Sequence, residues 1–190
     1  GLVVENNGSV VLEAGNTFSN NPEYGIALWV GGSLSMSCDE QLTSATTFSG
    51  NTVGAIKVDG GSAVDLCNLT ISSHYNGIDS WRGGNIRLKN VTITGSTKYG
   101  LRTHGTIVDA SDSTISGSTN SEIKAEASII ILDNTTITGT SGSEEIKLSY
   151  GSKLFIDNGT TITGTVKCDG SVDNNSIGNW ANLTLTTSGC

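Results

Sequence analysis

The sequence holds little of what usually announces an activity. One proline, 5% aromatic residues and 15% charged residues are spread over 190 positions. Low charge joined to frequent β-branched residues argues for ordered β structure and against disorder. No apolar run approaches the ~20 residues that cross a bilayer, so no membrane insertion is expected. There is no basic run, no glycine-rich phosphate loop behind a strand, no CxxC pair and no HExxH helix. The familiar nucleotide, zinc and metalloprotease signatures are thereby missing, and no cofactor is expected. A formal net charge of −8 disfavours nucleic acid and anionic lipid as partners. No signal peptide starts at Gly1, and the cysteines favour a leader already removed.

What is present is repetition. Glycine occurs 25 times, with abundant serine, threonine and asparagine. "NLTISS" from Asn68 returns as "NVTITG" from Asn90, "DSTISG" from Asp112, "DNTTITG" from Asp133, "NGTTITG" from Asn158 and "NLTLTT" from Asn182, roughly every 22 residues. A fixed period of this length decides the fold class before any other signal. Aligned on the apolar residue of the motif, the coils centre on Phe18, Phe48, Ile71, Ile93, Ile115, Ile137, Ile162 and Leu185. Two more apolar segments recur between these centres. One is "GIAL" at Gly25, "AIKV" at Ala55, "GIDS" at Gly77, "GLRT" at Gly100, "EIKA" at Glu122 and "EIKL" at Glu145. The other ends on the motif's Asn or Asp, as in "IRLKN" and "IILDN".

Each coil therefore holds three short strands alternating in, out, in, separated by turns of Gly, Ser, Asn and Asp. Three such strands cannot bury a face alone, but coils stacked ~4.8 Å apart pair every strand twice and pile like residues on like. The expectation is one all-β domain over residues 1–190: a parallel β-helix of about eight coils, with no substantial helix.

The inward Ile, Leu and Val positions, with the column Asn68, Asn90, Asp112, Asn134, Asn158 and Asn182, resemble the right-handed parallel β-helix superfamily of pectin- and pectate-lyase-like proteins. The resemblance spans nearly the whole chain. It implies right-handed coiling, as parallel crossovers do in general, and an asparagine ladder at the turn between the second and third sheets. An Asn committed to an internal ladder is hard to glycosylate, so the N-x-T sequons at Asn68, Asn90, Asn134, Asn158 and Asn182 read as coincidence.

Cys38 and Cys67 both follow the second strand and lie one coil apart once the insertion at 39–45 is allowed for; Cys168 and Cys190 are also one coil apart. Neighbouring rungs suit a disulfide, so Cys38–Cys67 and Cys168–Cys190 are expected. Free buried thiols, or an interchain bond through Cys190, are the alternatives. Either disulfide reading implies an extracellular setting. "GLVVENNG" enters a strand at once, and only Trp180 with a shortened last turn resembles a plug. Such ends would let copies stack strand on strand.

The third sheet should carry two outward columns: Thr17, Thr47, Thr70, Thr92, Thr114, Thr136, Thr161 and Thr184, then Ser19, Ser49, Ser72, Thr94, Ser116, Thr138, Thr163 and Thr186. This T-x-T lattice is similar to the ice-binding face of solenoid antifreeze proteins, although the second column holds four serines. The first sheet should face outward with Trp29, Lys57, Asp59, Asp79, Trp81, Arg82, Arg102 and His104, then Lys124, Glu126, Lys147 and Lys167. In pectate-lyase-like enzymes the sugar cleft lies against this sheet, so Trp29, Asp59, Asp79, Trp81, Arg102 and His104 are candidate glycan contacts. Yet lyase motifs are not matched, the turns are too short to wall a cleft, and alternating charges on adjacent rungs serve as ion pairs. His74 and His104 lack metal-ligand spacing and read as exposed and structural; no metal site is expected. The composition looks like that of secreted microbial adhesin, surface-layer and sheath solenoids. The leading expectation is a non-enzymatic extracellular protein that self-assembles into a filament, sheath or surface layer, stacking end to end and packing laterally through its Thr/Ser face. Ice binding is the alternative, and glycan binding or polysaccharide cleavage on the first sheet a further one.

Overall fold

The computed structural model describes residues 1–36, 38, 45–140, 144–157 and 159–169, with the backbone of 177–178 and 185–188. It is a parallel β-solenoid of about seven turns, with no helix among the described residues. The first face is built from Leu2–Val4, Tyr24–Leu28, Gly54–Asp59, Asn76–Trp81, Tyr99–His104, Ser121–Glu126 and Ile146–Ser149. The second face takes Ser9–Leu12, Ser33–Met36, Ile107–Ser111, Ile129–Asp133 and Lys153–Ile156, and the third Thr17–Ser19, Thr46–Ser49, Thr114–Ser116 and Thr136–Thr138. Ala63–Ser72 and Asn85–Thr94 each run through the corner and serve both the second and third faces. Thr161–Cys168 likewise joins the third face to the first. At these places two of a coil's three strands run on as one element, with the pairing interrupted only at the corner.

Every coil pairs in parallel with the next, and the register is what the repeat requires. Phe18, Phe48, Ile71, Ile93, Ile115, Ile137 and Ile162 lie opposite one another in a single file. Each β-branched residue buried this way contributes about 1.5–3 kcal/mol of transfer free energy, and Phe18 stacks on Phe48 with centroids 5.0 Å apart. The file sets the depth of the opposite wall. A Cβ added to Gly77 would meet the Gly100 carbonyl oxygen at 2.3 Å and the Ile93 side chain at 2.6 Å. The recurring Gly before Ile in "GIDS" and "GLRT" is therefore a clearance for the third-face isoleucines.

The coil turns through residues at positive φ, one or two in succession at the corner between the first and second faces and one at each of the other corners. Between the second and third faces these are Asn68 (φ 52), Asn90 (φ 53), Asp112 (φ 50) and Asn134 (φ 44), the types that tolerate the left-handed region best after Gly. The residue that follows points inward, and where it carries a hydroxyl it serves the next rung's backbone. Ser113 Oγ accepts from Val91 N at 3.1 Å, and Thr160 Oγ1 accepts from Thr135 N at 3.2 Å. At the corner between the first and second faces, Ser128 accepts from Thr106 N and Ser152 from Ser128 N. Buried backbone donors at the bends are satisfied by these hydroxyl files.

The asparagine column stands outside the molecule. Asn90, Asp112 and Asn134 are exposed and Asn68 half-buried. Asn90 Nδ2 donates to Asn68 Oδ1 and Asn134 Nδ2 to Asp112 Oδ1, each at 2.7 Å. The expected rung-to-rung bonding is present, but an internal ladder is not; the internal one is made of Ser and Thr. Thr136 pairs with Thr161, so Asn134 stands opposite Gly159, whose φ is 81. Gly159 therefore holds the column's place that Asn158 was expected to fill. Asn158, Trp180, Asn182, Thr184 and Cys190 lie outside the described residues. Leu185–Ser188 pairs with Gly164–Lys167 on the first face. Leu185 is therefore not in the third-face file, and Thr186 opposes Thr165 instead of extending the Thr/Ser face.

Candidate functional site

The third face bears the two columns over seven rungs. Thr17, Thr47, Thr70, Thr92, Thr114, Thr136 and Thr161 are in register, as are Ser19, Ser49, Ser72, Thr94, Ser116, Thr138 and Thr163. All are half-buried or exposed. Columns two residues apart on a strand lie ~6.7 Å from each other, and rungs repeat every ~4.8 Å. No outward position of this lattice carries a charge. Thr is stiff at χ1, so the methyls and hydroxyls of the threonines are held in repeating places by a backbone paired on both sides.

The first face brings together all six candidate glycan contacts, and the local geometry explains their roles. Lys57 lies opposite Asp79, and Asp79 opposite Arg102, in one file; Asp59, Trp81 and His104 are opposite in the next. Asp79 is buried beneath its neighbours. Its Oδ1 accepts from Trp81 Nε1 at 2.9 Å and its Oδ2 from Tyr24 Oη at 3.1 Å, with Lys57 Nζ 3.5 Å away. Asp59 accepts from Arg82 through both oxygens, at 2.6 and 2.7 Å. Burial alone would raise Asp59, but the Arg82 hydrogen bonds and charge, with Lys57, hold its carboxyl below the usual range. Burial depresses Lys57 despite both aspartates, and burial with the Asp79 charge pushes the Tyr24 phenol up. Both carboxylates thus hold the neighbouring cations and rings in place.

Trp81 is the centre of this strip. The Arg102 guanidinium lies 4.4 Å and Lys57 Nζ 5.3 Å from its ring, while the His104 ring is tilted against it at 5.3 Å. Trp29 sits farther along, 5.9 Å from Lys57. Two buried atoms of the strip, Arg102 Nε and His104 Nδ1, have no hydrogen-bond partner among the described residues. Beyond Asp79 the charges do not alternate: Arg102, Lys124, Lys147 and Lys167 follow one another in register. Like charges on adjacent strands repel, and here acidic neighbours relieve them. Lys124 pairs with Glu126 at 2.8 Å, and Glu144 takes both Lys147 and Lys167.

Some polar residues were not legible as buried. His74 is 2% exposed and Nδ1 accepts from Asn51 N at 3.1 Å, so its reading as an exposed residue is corrected. His104 is half-buried against Trp81. His74 continues an inward corner file begun by Asn21 and Asn51, where Asn21 N and Nδ2 both donate to Asn51 Oδ1. Glu122 is fully buried, its carboxylate accepting from Ser118 N at 2.8 Å and Ser118 Oγ at 2.6 Å. Glu145 is also buried and accepts from Thr165 N. Both follow the small residues Gly25, Ala55, Gly77 and Gly100 in the segment before the Ile. The change from Gly or Ala to Glu at that place is the one sequence signal that marked them.

Cys38 and Cys67 form the expected disulfide, with Cα atoms 5.2 Å apart. Cys168 is disulfide-bonded too, and Cys190 lies outside the described residues. Among the described residues, metal-type donors gather at Cys38, Asp65 and Cys67, where the sulfurs are joined to each other and offer no thiolate. Comparison with protein-family models, with curated proteins and with solved structures finds no match.

Proposed function

We propose that this chain is an extracellular ice-binding solenoid whose third face meets ice. The observation that carries the reading is that all outward positions of that face, two per rung over seven rungs in register, are Thr or Ser. Exposed strands need no such uniformity for folding, and the first face of the same molecule carries lysine, aspartate, arginine and tryptophan instead. An uncharged lattice of fixed hydroxyls and methyls orders water at regular spacing without paying to immobilise its own side chains. The Cys38–Cys67 disulfide supports the extracellular setting.

Thermal hysteresis and ice-recrystallisation assays test the proposal. Wild-type protein should be active, and Thr92→Tyr or Thr136→Tyr should abolish activity while leaving the unfolding midpoint in place. Wild-type inactivity ends the reading. Inactive protein that forms filaments or sheets in electron micrographs would assign the lattice to lateral self-assembly instead.

A second reading rests on the first face. Trp81 is half-buried in a strip where the Arg102 guanidinium lies 4.4 Å and Lys57 Nζ 5.3 Å from its ring, which favours glycan binding without chemistry, a sugar ring against Trp81. A glycan panel tests it, and retention lost in Trp81→Ala is expected; silence across the panel removes it.

A further inference from the structure

The second face is divided between two textures. In its early rungs the outward residues Ser33, Ser35, Ala63, Asp65, Asn85 and Arg87 line a shallow depression of about 240 Å³. In its later rungs Ile107 is 46% and Phe155 43% exposed, with Ile129 and Ile131 half-buried between them. Ile107 lies opposite Ile129, and Ile131 opposite Phe155, so the four make one continuous apolar patch. Asp109, Asp133, Lys153 and Asp157 border it, and the first three have no ion-pair partner among the described residues. At the same rungs the first face carries Arg102, Lys124 and Lys147 outward and the third face only Thr and Ser, so the patch is not the ordinary surface of this part of the solenoid.

We propose that the second face is the interface of a two-fold dimer, in which two copies of this chain pack face to face with antiparallel solenoid axes. The occupant follows from complementarity along the rungs. A two-fold axis parallel to the strands, between the Asn85–Arg87 rung and the Ile107–Asp109 rung, sets the recessed half of each copy against the apolar half of the other. Arg87 then faces Asp109 of the second copy, and Asn85 faces its Ile107. One rung on, Ala63 faces Ile129, and Asp65, held by Arg87 of its own chain, faces Ile131; beyond that, Ser33 faces Lys153 and the small Ser35 receives Phe155. Each contact occurs twice, as an isologous interface demands. Arg87, which within its own chain reaches Asp65 at 3.3 Å, stands between two carboxylates in the dimer. A two-fold axis along the solenoid instead would set Asp109 against Ile107 and Lys153 against Phe155, with no charge paired. The contact spans six rungs of ~4.8 Å, a small interface, so association is concentration-dependent. It leaves the third face of both copies uncovered, and it stands or falls independently of ice binding.

Sedimentation velocity over a concentration series tests the dimer. Wild type should pass from monomer to dimer. Ile129→Lys should weaken association by about tenfold or more, since it sets a charge on Ala63 of the partner copy. Arg87→Glu places Glu against Asp109 twice, and Asp109→Arg places Arg against Arg87 twice, so each variant alone should be monomeric. An equimolar mixture of the two pairs opposite charges at both contacts and should recover dimer. That recovery also shows that both variants are folded. Wild type that stays monomeric at the highest soluble concentration overturns the proposal. So does a dimer indifferent to Ile129→Lys, or a mixture that stays monomeric.

Discussion

The side-chain amide of Asn90 donates to Oδ1 of Asn68 in the preceding rung, 2.7 Å away, and does so on the outside of the corner. The bond joins two residues that both sit at positive φ, 53 and 52. Asn is thus used twice, once for a backbone region that L-residues avoid and once for an amide that ties rung to rung.

Asn90→Ala should therefore lose both contributions, about 1–2 kcal/mol of strain with a further fraction of a kcal/mol for an exposed hydrogen bond. Asn90→Gly should lose only the hydrogen bond. Urea unfolding midpoints rank the three proteins, and Ala at or above Gly would contradict this account of the corner.

The Cys38–Cys67 bridge closes a sequence separation of 29. Loop-closure entropy for that length corresponds to about 3–4 kcal/mol. The double change Cys38→Ser with Cys67→Ser should lower the unfolding free energy by about that amount, and reduction, which also opens the bond at Cys168, by at least as much. The protein should remain a β-solenoid by circular dichroism, because the cross-strand ladder does not pass through the sulfurs. An unchanged midpoint in the double variant would refute a stabilising role for this bridge.

His74 is held below the ordinary histidine range by burial, against the smaller upward pull of its backbone contacts. The unfolded chain binds a proton there near pH 6.5, while the folded chain stays neutral to lower pH. Stability contributed by the neutral ring is therefore full above about pH 6.5 and declines as pH falls through that value. His74→Asn, which continues the Asn21–Asn51 file without a titrating group, should flatten stability between about pH 6.5 and 5. A wild-type profile already flat in this window would refute the buried neutral imidazole.

Glu122 has the opposite dependence. Burial pushes its carboxyl up, with Ser118 opposing and the charge of Glu145 adding to the rise. The folded state keeps the proton to higher pH than the unfolded state does. The stabilising contribution is complete below the ordinary carboxyl value of about 4.3 and is lost as pH rises through the raised folded value. Glu122→Gln should raise the unfolding midpoint at neutral pH relative to wild type, and the advantage should vanish near pH 4. A Gln variant less stable than wild type at pH 7 would mean that the Ser118 hydrogen bonds outweigh the desolvation of the charge.

The fold and the third face were legible because both depend on period alone. Once Ile71, Ile93, Ile115 and Ile137 recur at one spacing, stacking places them in one file and Thr92 between Thr70 and Thr114. The neighbouring rungs of Cys38 and Cys67 follow from the same count. Other features depend on which way a residue faces at a bend. "SIIILDN" offers three isoleucines in a row, and only the pairing of Ile130 with Val108 and Leu154 decides that Ile129 and Ile131 point out. Asn90 was readable as a corner residue but not as an outer one, because the following Val91 takes the inward place. Glu122 and His74 carry side chains that strand alternation assigns to solvent. They are inside because small corner residues leave space and backbone donors there that need acceptors.

By itself, then, the repetition of short alternating segments determined a stack of equal coils, the files that fill it and the uncharged character of its third face, since translation by one rung maps each residue type onto itself. Only the tertiary structure decided what lies at the corners and which apolar residues are left outside. At the bend between the second and third faces the inward direction is set by a single left-handed residue, and one inserted position, as at Gly159, moves a whole column without changing the pattern that announced it.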